Sequence, residues 1–208
     1  MSMNATRLLV ASVLTAVTWM SATVEATEVA FSGYKWTIRP SGRGGPGPNN
    51  WDPTNVFVDA SGYLHLKIAQ NKNKWSCAEV YTTVSPNTST GRLGFGRYQF
   101  QTGSRVDTLD PNVVLGLFNY PTADVGPDGT NEIDIEYARW GNASWPNGNF
   151  TVWPTTTTVS RTTQSFSFGL QGNDSTHRFD WNSTRIRFQT FNGLVPISDT
   201  ATQRPSRS

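Results

Sequence analysis

The feature that most restricts the fold is the shortness of every regular run: apolar and polar residues alternate over a handful of positions and stop at a cluster of Gly, Pro or Asn. In Tyr63-Leu64-His65-Leu66-Lys67-Ile68 the two leucines and the isoleucine share one side of a pleated strand, with His65 and Lys67 on the other. Arg185-Ile186-Arg187-Phe188-Gln189 repeats the pattern with Ile186 and Phe188 inward. No stretch sustains a helical period. The predicted strands are Val29–Ile38, Val56–Val58, Tyr63–Ile68, Ala78–Thr83, Gly96–Gln101, Val113–Phe118, Asn131–Tyr137, Gly148–Val152, Ser165–Gly169, Thr176–Trp181 and Arg185–Phe191. Strands with one apolar face need a covering layer, so the expected class is all-β, an antiparallel sandwich of two sheets.

The breakers divide the chain without defining a second domain. Pro40 to Asn50 and Pro121 to Thr130 are Gly- and Pro-rich loops, and Thr155 to Thr158 is a polar connection. At the N-terminus, Arg7, the apolar stretch Leu8 to Met20 and Val24-Glu25-Ala26 read as a secretory signal peptide over residues 1–26. The expectation is therefore a secreted protein, with no membrane segment once the signal is removed, one domain over 27–196 and a polar tail over 197–208. Cys77 is the only cysteine, which excludes an internal disulfide framework and reads as a small buried apolar residue. The net charge of +2, without a basic block, argues against nucleic acid as a partner. Packing must come from apolar and aromatic side chains, supplied by 11 Phe, 8 Trp and 6 Tyr. The same flat rings suit the C–H faces of sugars.

The chemistry concentrates in Asn131-Glu132-Ile133-Asp134-Ile135-Glu136-Tyr137. Alternation places Glu132, Asp134 and Glu136 on one face and Ile133, Ile135 and Tyr137 on the other. Three adjacent acids repel one another and weaken a sheet, while their apolar neighbours hold the strand in a core. Residues four apart on a strand lie roughly 13 Å apart at Cα, a span that two long Glu side chains can partly close. A carboxyl pair about 5–5.5 Å apart suits retaining glycoside hydrolysis, and an intervening Asp keeps the three from ionising together. The residues alone leave three readings open: a catalytic set, a Ca²⁺ site of carboxylate oxygens, and a solvated acidic face.

Glu132-Ile133-Asp134-Ile135-Glu136 resembles the active-site signature of glycoside hydrolase family 16, within the concanavalin-like lectin and glucanase superfamily. Gly94-Phe95-Gly96-Arg97-Tyr98, and His177-Arg178-Phe179-Asp180-Trp181 with Ile186-Arg187-Phe188, resemble flanking segments, so the likeness covers most of residues 30–195. The resemblance implies a jelly-roll fold and an endo-acting retaining β-glycosidase. Glu132 would be the nucleophile, Asp134 the modulator and Glu136 the general acid and base. The uninterrupted form of the signature tilts the implied substrate toward β-glucans containing 1,4 links. Gln99 stands where many members carry an acid, and Asn192-Gly193 where Asp-Gly is usual. Members continue past that turn with further strands, including a core strand, whereas 15 residues follow Gly193 here, so either the sandwich is completed differently or the chain is truncated. A carbohydrate-binding protein without turnover and a transglycosylase are the alternatives on the same fold.

Substrate contacts are expected from Trp140, Trp145, Tyr98, Phe118, Asn50, Trp51, Arg139 and His177, each of which has a packing role as its alternative. The expected partner is a polysaccharide, bound by a monomer. No His/Cys ligand set points to zinc and no cofactor is required, with structural calcium the one metal considered. Asn87, Asn142, Asn149, Asn173 and Asn182 begin glycosylation acceptor triplets.

Overall fold

The computed structural model describes residues 27–82 and 93–199. The expected signal peptide, the Asn87 triplet and residues 200–208 of the polar tail lie outside them. The chain divides between Leu93 and Gly94 into two compact units, each all-β with antiparallel strand pairs.

The first unit carries β1 (Glu28–Phe31), β2 (Tyr34–Ile38), β3 (Gly42–Gly44), β4 (Asn49–Trp51), β5 (Val56–Val58), β6 (Leu64–Leu66), β7 (Ala69–Asn71), β8 (Lys74–Ser76) and β9 (Val80–Tyr81). The strand predicted over Val29–Ile38 is a hairpin, because Ser32 and Gly33 both take positive φ, at 51° and 80°, and reverse the chain. Alternation runs straight through such a turn and hides it. The loop predicted from Pro40 to Asn50 contains the β3–β4 ribbon. Among the described residues β6 pairs only with β5, and Leu66 and Ile68, expected inward, are 42% and 46% exposed. Cys77 is half-buried, and burial pushes its thiol up.

The second unit carries β10 (Gly96–Thr102), β11 (Leu115–Asn119), β12 (Ile133–Tyr137), β13 (Gly148–Val152), β14 (Thr162–Phe166), β15 (Ser175–Trp181) and β16 (Ile186–Asn192). They form two sheets, β10-β15-β16 and β11-β12-β13-β14. Their apolar faces meet in one core. Ile133, Ile135 and Tyr137 from β12 are buried with Phe179 from β15, and Val106 and Leu170 close the cluster. Phe150 of β13 stacks on Phe188 of β16 with ring centroids 4.6 Å apart. Full burial of an Ile or Phe side chain is worth about 1.5–3 kcal/mol, so this layer fixes β12 firmly in the middle of its sheet. The polar face of β12 is thereby displayed on the side away from the core.

Candidate active site

The acidic strand is delivered by a tight turn. The buried Thr130 hydroxyl donates to the Pro127 carbonyl at 2.7 Å, and the Asn131 N–H donates to the Pro154 carbonyl at 2.8 Å. Asn131 takes φ 54°, a conformation that Asn tolerates better than most residues. The chain then becomes extended, and Ile133, Ile135 and Tyr137 enter the core while Glu132, Asp134 and Glu136 occupy the opposite face.

Strand register gives each acid its cross-strand neighbours. Phe118 and Thr151 flank Asp134, and Gly116 and Asn149 flank Glu136. The Trp153 backbone N–H donates to the Glu132 carbonyl at 2.8 Å, which brings Trp153 alongside the first acid. Its indole Nε1 donates to Asp134 Oδ2 at 2.9 Å. One strand further, Thr163 hydrogen-bonds Thr151 at 3.0 Å, and Ser165 Oγ donates to Asn149 Oδ1 at 2.7 Å. The Arg161 guanidinium lies 4.6 Å from the centre of the Trp153 ring.

All three carboxyls hold their protons more tightly than usual. Burial first, then the Glu132 charge, pushes Asp134 up to about 8, against the pull of the Trp153 N–H. Burial and the neighbouring Asp134 push Glu136 up to about 7. Glu132 is also raised by burial, but a hydrogen bond from Asp134 opposes the rise. The physical sense is that Asp134 keeps a proton and offers it to Glu132, which favours the ionised form of Glu132. Glu136 is then an acid that titrates near neutrality. Among the described residues, no three His, Cys, Asp or Glu side chains are disposed to hold a metal ion.

Of the other predicted contacts, Phe118 shares the face of Asp134 and is 41% exposed. Trp140 and Trp145 lie in the connection after β12 and are 49% and 54% exposed, with Trp140 at φ 51°. Arg139 turns to the Asp107 carbonyl at 3.4 Å. Two placements correct the expectation. Tyr98 stacks on Phe179 at 4.7 Å, within the core layer, because alternation along β10 sends Tyr98 and Phe100 inward together. His177 is fully buried, and burial pushes it down to about 3; Ser175 Oγ lies 2.8 Å from its Nε2, and its Nδ1 meets the Tyr137 hydroxyl. It is a neutral core residue, enclosed away from any substrate.

Asn50 and Trp51 belong to the first unit. Asn50 Nδ2 donates to the Trp75 carbonyl at 2.9 Å, and the Arg39 guanidinium covers the Trp51 ring at 4.3 Å. Asn149, one of the acceptor triplets, is buried and hydrogen-bonded. Trp153 and Arg161 were missed by sequence reasoning. Extending the alternation of β13 by one step past Thr151 would have found Trp153. Arg161 gives no such signal, because the strand that positions it was predicted to begin only at Ser165.

The all-β fold has counterparts among solved structures. The chain is similar to a prokaryotic β-1,3-1,4-glucanase (lichenase) from a mouse hindgut metagenome, with a TM-score of 0.53 and 20% identity over 77% of this chain and 71% of that one. It is equally similar to the β-glucanase of Bacillus licheniformis, with a TM-score of 0.53 and 20% identity over 81% and 74% of the two chains. An immunostimulatory antigen and pseudo β-1,3-glucanase of Mycobacterium tuberculosis matches with a TM-score of 0.51 and 20% identity over 78% and 67%. These likenesses show the fold, in agreement with the family 16 resemblance of the sequence. No protein-family model and no curated protein matches the chain.

Proposed function

We propose that the β12 face binds a β-linked polysaccharide and hydrolyses it with retention of configuration. The observation that supports this reading is the placement of Glu132, Asp134 and Glu136 on the non-core face of β12, with Asp134 hydrogen-bonded to the Trp153 indole and burial raising all three carboxyls. Glu132 Oε attacks the anomeric carbon as the bond to the leaving oxygen breaks, and that oxygen takes the Glu136 proton. Glu136, now a carboxylate, removes a proton from water. The hydroxyl oxygen displaces Glu132 from the anomeric carbon, restoring both side chains. The residue types and their face suit a jelly-roll glucanase, for which β-glucan is the natural substrate class. Secretion, and the role of Trp140, Trp145 and Phe118 as sugar platforms, belong to the same proposal.

A second reading is a carbohydrate-binding protein without turnover. It is supported by the fold comparisons, since one similar structure is described as a pseudo β-1,3-glucanase and fold alone carries no chemistry. Purified protein and Glu132→Gln incubated with lichenan, laminarin, xyloglucan, carrageenan and agarose separate the two. Release of fragments by wild type alone supports hydrolysis. Binding by both proteins without release supports the second reading, and absence of both refutes the proposal.

A further inference from the structure

Arg161 is an exposed cation close to a row of carboxyls, yet among the described residues it makes no salt bridge. Asp128, on the same rim, makes none with it either. The guanidinium instead rests over Trp153, whose indole N–H is committed to Asp134. The cation–π contact holds the guanidinium over the ring, and among the described residues no hydrogen bond takes up its N–H donors. Together Arg161, Trp153, Asp128, Ser160 and Thr163 line an open recess of about 540 Å³, within the range of ligand clefts.

The recess adjoins the acids through Trp153, and its contents must be compatible with them. A sugar carrying a negative charge would be repelled by an ionised Glu132 and by Asp128 unless a cation met it. Neutral hydroxyls need no such provision, since Ser160 and Thr163 already offer them hydrogen bonds. The Arg161 charge acts on Asp134 and Glu136 without a direct ion pair to either, and a guanidinium held over a ring can still offer two N–H donors to the oxygens of one oxyanion. We infer that Trp153 and Arg161 form a subsite for a sugar unit bearing an oxyanion, either a uronate carboxylate or a sulfate ester, beside the unit held over the acids. The inference rests on the proposed polysaccharide binding, but not on turnover.

The test uses Glu132→Gln as a binding form, alone and combined with Arg161→Gln or Arg161→Lys. Affinity electrophoresis is run against a β-linked polyuronate, a sulfated β-galactan, its desulfated form and neutral lichenan. The expected result is tighter binding of at least one acidic polymer than of the neutral ones. Arg161→Gln should weaken that binding by roughly 10–100-fold, the range for a charge-assisted hydrogen-bonded pair. The loss on neutral polymers should be at least tenfold smaller. Lys restores part of the affinity, and added salt weakens the acidic complex most. Preference for the polyuronate identifies a carboxylate, whereas loss on desulfation identifies a sulfate ester. Equal losses on acidic and neutral polymers, or no binding of either acidic polymer, overturn the inference. Circular dichroism melts confirm that each variant is folded. Binding that depends on Arg161 while wild type releases no fragments would refute hydrolysis and leave the subsite intact.

Discussion

Trp153 and Asp134 are joined by a single hydrogen bond of 2.9 Å from the indole Nε1 to Oδ2, and that bond is the one side-chain hydrogen bond lowering the proton affinity of the middle acid. It crosses to β12 on the acidic face from the residue that follows β13. The proton balance of the site therefore depends on a residue outside the acidic segment.

Replacing Trp153 with Phe keeps a ring and deletes the donor. Asp134 then holds its proton more tightly, and the proton is shared less freely with Glu132. The expected outcome is about a tenfold fall in kcat with loss of about 1 kcal/mol of stability, the usual net value of one hydrogen bond. A kcat measurement on the cleaved polysaccharide and a urea titration would check both.

The pH profile should report Glu136. With its pKa raised to about 7, the acid form persists to neutrality and is lost above it. On the proposed mechanism kcat/KM falls with a slope of one proton above pH 7. Glu136→Gln, which can donate no proton, should lower kcat by about 10²–10⁴-fold. A constant rate from pH 6 to 9 would contradict the assignment.

The same acids should cost stability at alkaline pH. Asp134 has a folded pKa raised to about 8 from 3.8, so the native state retains a proton that the unfolded chain releases between those values. Its contribution is full below about pH 4 and is lost as pH rises through 8. Asp134→Asn does not titrate and should exceed wild type by about 1–3 kcal/mol at pH 8.5, with a smaller difference at pH 5. Denaturant midpoints at the two pH values give the comparison.

His177 should act in the opposite direction. Burial lowers its pKa to about 3 from 6.5, so the unfolded chain binds the extra proton. Stability from this residue is present above pH 6.5 and lost progressively as pH falls toward 3. His177→Gln should flatten the acid limb of a Tm against pH plot, even where the whole curve is lowered.

Gly148→Ala is a packing test of the acidic sheet. A Cβ at Gly148 would fall inside van der Waals contact with the Phe166 ring, its cross-strand neighbour. Phe166 is wedged against Phe150 and Phe168, so it has little room to move. The expected loss is about 1–3 kcal/mol by thermal or urea unfolding.

Period-two alternation made the acidic face legible, because Ile133 and Ile135 leave no doubt which side is buried. It found β13 with its observed limits, and it put Ile186 and Phe188 on the core side of β16. It failed where a turn preserved the alternation, at Ser32-Gly33. It failed again at Leu66 and Ile68, which alternation puts inward but the structure leaves exposed. Tyr98 and His177 show a different limit. An aromatic and a histidine suit both a cleft and a core, and the tertiary partners that decide, Phe179 and Tyr137, lie far away in sequence. Arg161 was invisible because its meaning comes from Trp153 beneath it.

The contact between Tyr137 and His177 ties β12 to β15 through the middle of an apolar layer, with Thr190 of β16 bonded to the same hydroxyl at 2.9 Å. Apolar surfaces can slide over one another with little penalty; a directional polar link cannot. This link indexes one sheet against the other at the residue next to Glu136. The position of the proposed acid is thus set from behind, by a reference mark on the far side of its own strand.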